Sequence, residues 1–259
     1  MSAEDRIERT VSSLPQRGPY EARALEEMRC WQREMTAPPR FWNQAARALQ
    51  RRVNRVIPER VHEAITSVIK QMTRAVLAGS SFTAPAPRES GTLAEREQAI
   101  TTRIDRYCRA AALEGGITGA GGLFLGLADF PLLLGIKLKL LFDIAALYGH
   151  SGADFRERVY ILYVFQLAFS SDAHRTDIYC KITDWEARAA QLPDSIDELD
   201  WRAFQQEYRD YIDFAKLAQL VPVIGAPVGV IVNNRLVKKL GYMAMNAYRM
   251  RWFEREGLK

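Results

Sequence analysis

Six polar side chains stand inside apolar stretches of this 259-residue chain, and their types could support acid–base chemistry or ligand binding. Ionisable groups are costly in apolar surroundings, so they are paired to fix helix register or they contact a ligand. Both interpretations stay open here. On the second interpretation, the headgroup of a lipid or another hydrophobic ligand is bound by Glu114, Asp129, Lys137, Lys139, Asn233 and Asn234.

Catalytic motifs are weak in this sequence. Glu114 and Asp129 could act as an acid and base pair, yet on one straight helix they would lie about 22 Å apart. The three histidines are widely separated, and neither HExxH nor CxxC occurs, so we expect no metal and no cofactor. No catalytic residue is identified, although a hydrolase that uses Asp129 stays an alternative.

Glycines recur at helical spacing on both sides of these polar residues. Glycine inside a helix costs about 1 kcal/mol relative to alanine, so a row of glycines indicates close approach of a second helix. If the first stretch is one helix, its four glycines share one face that continues to Asp129. We predict close helix packing at Gly115, Gly119, Gly122, Gly126, Gly225 and Gly229.

Residues 116–136 form an apolar run whose one charge is Asp129, and the run is long enough to span a bilayer. Asp129 and Pro131 argue against a single span, because the charge is costly there and proline interrupts a helix. The sequence therefore predicts two half-helices. The second ends at Gly149 as a C-cap and carries Lys139 and Asp143 four residues apart, where they can pair.

Helical periodicity runs through the whole chain and predicts an all-α fold of nine or ten helices. We expect a single helical domain with two central Gly/Pro-rich apolar helical hairpins and an N-terminal helical extension. Residues 1–78 form the basic extension, 79–92 a linker rich in Gly, Ser and Pro, and 93–259 the main helical domain. Thr92 and Glu95 have the spacing of a capping box at the start of that domain.

The net charge of +5 conceals an acidic middle, because residues 151–213 carry 7 basic and 13 acidic side chains. Residues 41–57 read as a basic amphipathic helix that could pack on the core, lie on an anionic membrane or meet an acidic partner through Arg47, Arg51 and Arg55. An extended nucleic-acid track would be opposed by the acidic middle, so no nucleic acid is expected.

Two blocks of sequence resemble the EcsC family. One is GGITGAGGLFLGLADFPLLLGIKLKLLFDIAALYG followed by YILYVFQLAFSSD, a glycine-rich segment with an Asp-x-Pro and a closing Tyr-Gly. The other is VPVIGAPVGVIVNNRLVKKLGYMAMNAYRMRW, a Pro-x-x-Gly run that ends in Asn. The resemblance covers roughly residues 95–255 and leaves the first 90 outside. It implies a mostly helical bacterial protein, from a family named for an operon neighbour of an ABC transporter, and it supplies no catalytic residues.

We therefore expect a non-enzymatic, membrane-associated accessory protein that binds lipid or a hydrophobic ligand. Three widely spaced cysteines and the polar start of the chain predict a cytoplasmic protein, here peripheral to the inner membrane. The expected partners are an anionic membrane surface or lipid, with a membrane transporter or other protein as a further possibility. One alternative is a soluble module that docks on such a partner through residues 41–57, and another is the hydrolase.

Overall fold

The fold was taken from a computed structural model, which describes residues 18–38, 59–79, 85–118, 122–171, 174–198, 200, 202, 204, 206 and 226–257. Within these residues the chain forms eight α-helices and one short 3-10 helix, with no β-strand. The predicted all-α class is confirmed. The predicted basic helix at 41–57, with Arg47, Arg51 and Arg55, lies outside the described residues.

The eight described helices are numbered here in chain order. They are α1 (Pro19–Thr36), α2 (Glu59–Ala78), α3 (Leu93–Thr118), α4 (Gly122–Leu147), α5 (Phe155–Phe169), α6 (Arg175–Thr183), α7 (Trp185–Ala189) and α8 (Ala226–Arg255), with the 3-10 helix at Ile196–Glu198. The long helix α8 packs against α1, α3, α4 and α5, and α2 packs against α4 and α5.

Helix α5 forms the centre of the core. All of its residues except Arg156 and Arg158 are buried, which is the pattern of a helix covered on every side. Asp154 caps its start by accepting a hydrogen bond from the backbone N–H of Arg156 at 2.9 Å. The guanidinium of Arg158 donates to the backbone oxygens of Leu77 and Ala153, and so ties α5 to the end of α2.

Helix α1 belongs to the same core. Its buried face consists of the residues that the helical period selects, Ala24, Leu25, Met28, Trp31 and Met35. The Trp31 indole N–H donates to the sulfur of Met243 on α8 at 3.1 Å, and the indole lies edge-on to Tyr179 at 5.6 Å.

The start of α3 and the segment before it contact the end of α4, where Arg96 donates to Leu147 O at 2.7 Å. The capping box is present, because Thr92 N–H donates to the Glu95 carboxylate at 2.9 Å and Glu95 N–H to Thr92 Oγ1 at 3.3 Å. Arg88 N–H donates to Ala146 O at 2.7 Å. Gly149, with φ +90°, ends α4 as predicted, since its left-handed backbone favours glycine.

The prediction of two half-helices broken at Pro131 is wrong, because α4 runs unbroken from Gly122 to Leu147 with Pro131 inside it. Proline removes one helical hydrogen bond, but burial of Phe130 and of leucines that follow outweighs that local cost. Helix α3 is described as far as Thr118, and the described part of α4 starts at Gly122. Gly115 therefore lies on α3, whereas Gly122 and Gly126 lie on α4, and the six predicted close-packing sites stay a prediction.

A close approach is seen at Gly241 of α8, a glycine that the sequence analysis did not select. A Cβ built there would overlap the Ile104 side chain of α3, with Cγ1 at 2.8 Å and Cδ1 nearer still. The absence of a side chain at Gly241 thus allows α8 to lie close to α3.

We predict that Gly241→Ala lowers the free energy of unfolding by about 1–3 kcal/mol, because the added methyl overpacks the α3–α8 contact. Urea denaturation of the full chain measures the change. Ile104→Val in the same protein should recover part of the loss. Gly135→Ala is the control, since a Cβ there meets no atom within 4 Å; a Gly241→Ala protein as stable as this control would contradict the prediction.

Candidate functional site

The six predicted site residues do not form one group in the structure. Lys137 on α4 is fully buried, and its ammonium donates to Asn233 Oδ1 on α8 at 2.7 Å and to Leu133 O at 3.4 Å. Lys137 and Asn233 therefore form a buried contact between α4 and α8. Nearby on α8, Asn234 is half-buried, and its side-chain oxygen has no hydrogen-bond partner among the described residues. The side chains of Glu114 and Asp129 lie outside the described residues.

Lys139 belongs to a different group, which we call the Asp143 cluster: Asp143, Lys139, Arg103 and Tyr107. The predicted pair is present, with Lys139 Nζ 2.7 Å from Asp143 Oδ1. From α3, Arg103 Nη1 lies 3.2 Å from Asp143 Oδ2, and Tyr107 donates its hydroxyl to the same oxygen at 3.0 Å. Burial, together with the Asp143 charge, raises the pKa of Tyr107, which keeps this donor protonated.

An exposed apolar stripe leads along α4 to this cluster. We define the α4 stripe as Pro131, Leu132, Gly135 and Ile136, of which the first two are exposed and the others half-buried. Leu132 is 56% exposed, whereas Leu133 and Leu134 beside it are buried. Lys139 follows Ile136 by three residues and so continues the same face of the helix. The stripe therefore ends at a cation that is 34% exposed.

A second buried cluster forms around Glu97 of α3, which the sequence analysis did not identify. Arg249 of α8 binds Glu97 through two hydrogen bonds, from Nε at 2.7 Å and Nη2 at 2.6 Å. The hydroxyls of Tyr20 and Tyr148 donate to the same carboxylate at 2.7 and 2.8 Å. Arg249 also reaches Glu27 of α1 at 3.0 Å. One buried carboxylate thus joins α1, α3, α8 and the end of α4.

A third cluster surrounds Glu157 of α5. Tyr248 donates to Glu157 Oε1 at 2.5 Å, and Arg251 Nη1 and His150 Nδ1 lie 2.7 and 3.3 Å from Oε2. Burial raises the pKa of Glu157, but the hydrogen bond from His150 and the Arg251 charge outweigh it and lower that pKa to about 2. Burial lowers the pKa of His150, which favours the neutral imidazole. Glu157 is therefore held as an anion inside the protein.

Neither carboxylate cluster had a local sequence signal. Glu97 and Arg249 are separated by 152 residues, so no helical spacing relates them. Residues 235–259 are basic and aromatic in sequence, and that composition names no partner for Tyr248, Arg249 or Arg251. In the structure these side chains face the core and supply its hydrogen-bond donors.

These features define an all-α protein in which one long helix is held to its neighbours by buried carboxylate clusters. Residues 22–253 match the EcsC protein family. The chain is 40% identical over 228 residues to protein EcsC of Bacillus subtilis (strain 168). The aligned region covers 88% of this chain and 94% of the relative. This chain belongs to the EcsC family.

A second relative is the uncharacterized protein YdbA of Bacillus subtilis (strain 168), with 32% identity over 142 residues, 55% of this chain and 52% of YdbA. No solved structure gives a significant match. The family match begins at residue 22, so it contains α2 and all of α1 except its first three residues. The expectation that the resemblance leaves out the first 90 residues is therefore wrong, and the packing of α1 in the core agrees with the longer match.

Two features are absent from the described residues. None of the helices there is both long and apolar enough to cross a bilayer. In the same residues, no group of three or more His, Cys, Asp or Glu side chains could hold a metal ion.

We predict that Arg249→Met lowers the free energy of unfolding by about 3–5 kcal/mol, because it leaves Glu97 buried without its cation. Urea denaturation at neutral pH measures the loss. Arg23→Met is the matched control, since the Arg23–Glu27 pair is exposed and 3.7 Å long, and it should cost less than about 1 kcal/mol. Equal losses in the two variants would show that the buried pair does not stabilise the fold.

The Glu157 cluster should make the protein acid-sensitive. The folded-state pKa of Glu157 is about 2 against 4.5 for a free side chain. The anion therefore stabilises the fold above pH 4.5, and this contribution, about 1.4 kcal/mol for each unit of the shift, is lost as the pH falls toward 2. We predict that Glu157→Gln is less stable than the wild type at pH 7 but has a flatter stability profile between pH 4.5 and 2.

Urea denaturation across that pH range tests the prediction. The control is Asp194→Asn, which removes an exposed carboxylate from its contact with Arg156. If Glu157→Gln and Asp194→Asn give profiles of the same slope, Glu157 does not set the acid sensitivity.

Proposed function

We propose that this protein is a non-enzymatic, membrane-associated accessory protein that binds lipid or another hydrophobic ligand. The observation that carries this proposal is the α4 stripe, an apolar face of a core helix that is open to solvent. A helix on the surface of a globular protein ordinarily turns polar residues to water. Exposed apolar patches of this kind occur where a protein meets a membrane, a ligand or another protein.

Charge favours the membrane among these partners. Lys139 and Arg103 lie at the end of the α4 stripe, and they are 34% and 41% exposed. An apolar face bordered by cations is the arrangement with which amphipathic helices lie on an anionic bilayer. The apolar side chains would then enter the acyl region, while the cations remain at the depth of the headgroups.

The remaining predicted site residues extend this proposal. Arg47, Arg51 and Arg55 would add electrostatic attraction to an anionic surface, and we propose the cytoplasmic face of the inner membrane as that surface. Glu114, Asp129 and Asn234 would contact the polar part of a ligand near α3, α4 and α8, whereas Lys137 and Asn233 are buried against each other and would fix the register of α4 and α8. Docking on a transporter or another protein, and a hydrolase that uses Asp129, are alternatives that no described contact favours.

We predict that Leu132→Ser lowers the affinity for lipid vesicles by about tenfold, because burial of a leucine side chain is worth about 1.5–3 kcal/mol. Vesicle co-sedimentation of the full chain measures binding to phosphatidylcholine vesicles with and without phosphatidylglycerol. Since Leu132 is exposed, the variant should keep the stability of the wild type in urea.

The control is Tyr242→Ser, which alters the other large apolar side chain that is exposed in the described part of the chain. It removes apolar surface from α8 rather than from the α4 stripe, so vesicle binding should not change. If the wild-type protein binds no vesicle, membrane association is refuted. Wild-type protein that instead binds one stoichiometric protein partner, with binding lost when Arg47, Arg51 and Arg55 are all replaced by Glu, would favour the docking alternative.

A further inference from the structure

Arg103 and Lys139 are held side by side because they share one buried carboxylate. Each oxygen of Asp143 contacts one of the two cations, at 3.2 Å for Arg103 and 2.7 Å for Lys139. Asp143 itself is 2% exposed, so it is out of reach of a ligand. Two cations against one carboxylate leave this part of the cluster with a positive charge that faces outward.

Both cations keep hydrogen-bonding capacity for a ligand. A guanidinium has five N–H donors and an ammonium has three, and the contacts with Asp143 use only part of each set. Both side chains are about one-third exposed or more, so donors are accessible from solvent. Arg103 comes from α3 and Lys139 from α4, and Asp143 fixes the two relative to each other. The pair is therefore organised before a ligand arrives.

The apolar surface beside the pair selects the kind of anion. Ile136 lies one helical turn from Lys139, and Leu132 lies two turns from it, a distance of about 10 Å at the rise of an α-helix. An anion bound by the pair would thus have apolar surface immediately next to it. A free inorganic anion makes no use of such a surface, whereas a phospholipid presents a phosphate and acyl chains together.

We propose that Arg103 and Lys139 bind the phosphate of an anionic phospholipid, whose acyl chains lie along Ile136 and Leu132. The proposal rests on the membrane association put forward above and names its headgroup site. Arginine binds phosphate oxygens through paired hydrogen bonds, and lysine supplies a compact charge. Asp143 acts as a positioning residue that does not touch the lipid.

The test compares Arg103→Gln with Arg109→Gln in the full chain. Both variants remove one positive charge from α3, but Arg109 is exposed and donates to Asp105 O of its own helix, outside the Asp143 cluster. Co-sedimentation is measured with phosphatidylcholine vesicles and with vesicles that also contain phosphatidylglycerol. We expect Arg103→Gln to weaken binding to the anionic vesicles about tenfold or more, Arg109→Gln to weaken it far less, and neither to change binding to the neutral vesicles.

Far-UV circular dichroism shows whether Arg103→Gln is folded. If it is not, a second pair of variants tests the same site. Lys139→Gln removes the other cation, and its control is Lys238→Gln, an exposed lysine of α8. The same difference is expected. If each site variant weakens binding only as much as its control, net charge alone acts, and the headgroup site is overturned while membrane association stands.

Two further outcomes are informative. If inorganic phosphate raises the unfolding temperature of the wild type but not of Arg103→Gln, and the vesicle arms show no difference, the pair binds free phosphate and the lipid proposal is overturned. If the wild type binds neither kind of vesicle, both the headgroup site and the membrane association are overturned. Weaker binding of Leu132→Ser to both kinds of vesicle, with weaker binding of Arg103→Gln to the anionic vesicles alone, supports both.

Discussion

The bidentate pair between Arg249 and Glu97 is the interaction on which the arrangement of the helices depends. It joins α8 to α3, and through Glu27, Tyr20 and Tyr148 it reaches α1 and the end of α4. Burial of such a pair is costly unless every oxygen and N–H finds a partner. The two tyrosine hydroxyls complete the hydrogen bonding of the carboxylate, so the geometry of four elements is fixed at one point.

Helix α8 makes polar contacts with three other helices along its length. Arg251 and Tyr248 hold Glu157 of α5, Arg249 holds Glu97 of α3, and Asn233 reaches Lys137 of α4. These contacts lie at different levels of one helix, and a rotation or shift of α8 would break them together. Tyr148 and Tyr248 stack at 5.5 Å, which also brings the Glu97 and Glu157 clusters into contact. We infer that α8 has a single register in the folded protein.

The same packing places the candidate lipid site. Gly241 lets α8 approach α3 closely at Ile104, next to Arg103 in the sequence. The position of α3 then decides whether Arg103 reaches Asp143 of α4. Three buried carboxylates, Glu97, Asp143 and Glu157, are each occupied by cations and hydroxyls inside the protein. The part of this network that faces outward is the pair of Arg103 and Lys139, beside the α4 stripe, and this is why we propose contact with lipid there.

The sequence by itself determined the features that depend on neighbouring residues. Helical period selected the buried face of α1, the capping box at Thr92 follows from two side chains three residues apart, and the Lys139–Asp143 pair follows from one helical turn. Gly149 as the end of α4 is equally local, because the left-handed backbone there favours glycine. The family resemblance was also contained in the sequence, although it extends further toward the N-terminus than the motifs indicated.

Only the tertiary structure decided the rest. Local rules predicted a break at Pro131, but burial along α4 outweighs the cost of one proline, and the energy of that burial depends on helices distant in sequence. The Glu97–Arg249 pair joins residues 152 positions apart, and no periodicity encodes it. Likewise, Gly241 is distinguished from the other glycines only by Ile104, which approaches it from another helix. A side chain's partner across the core is set by the packing of whole helices, so a single sequence leaves it open.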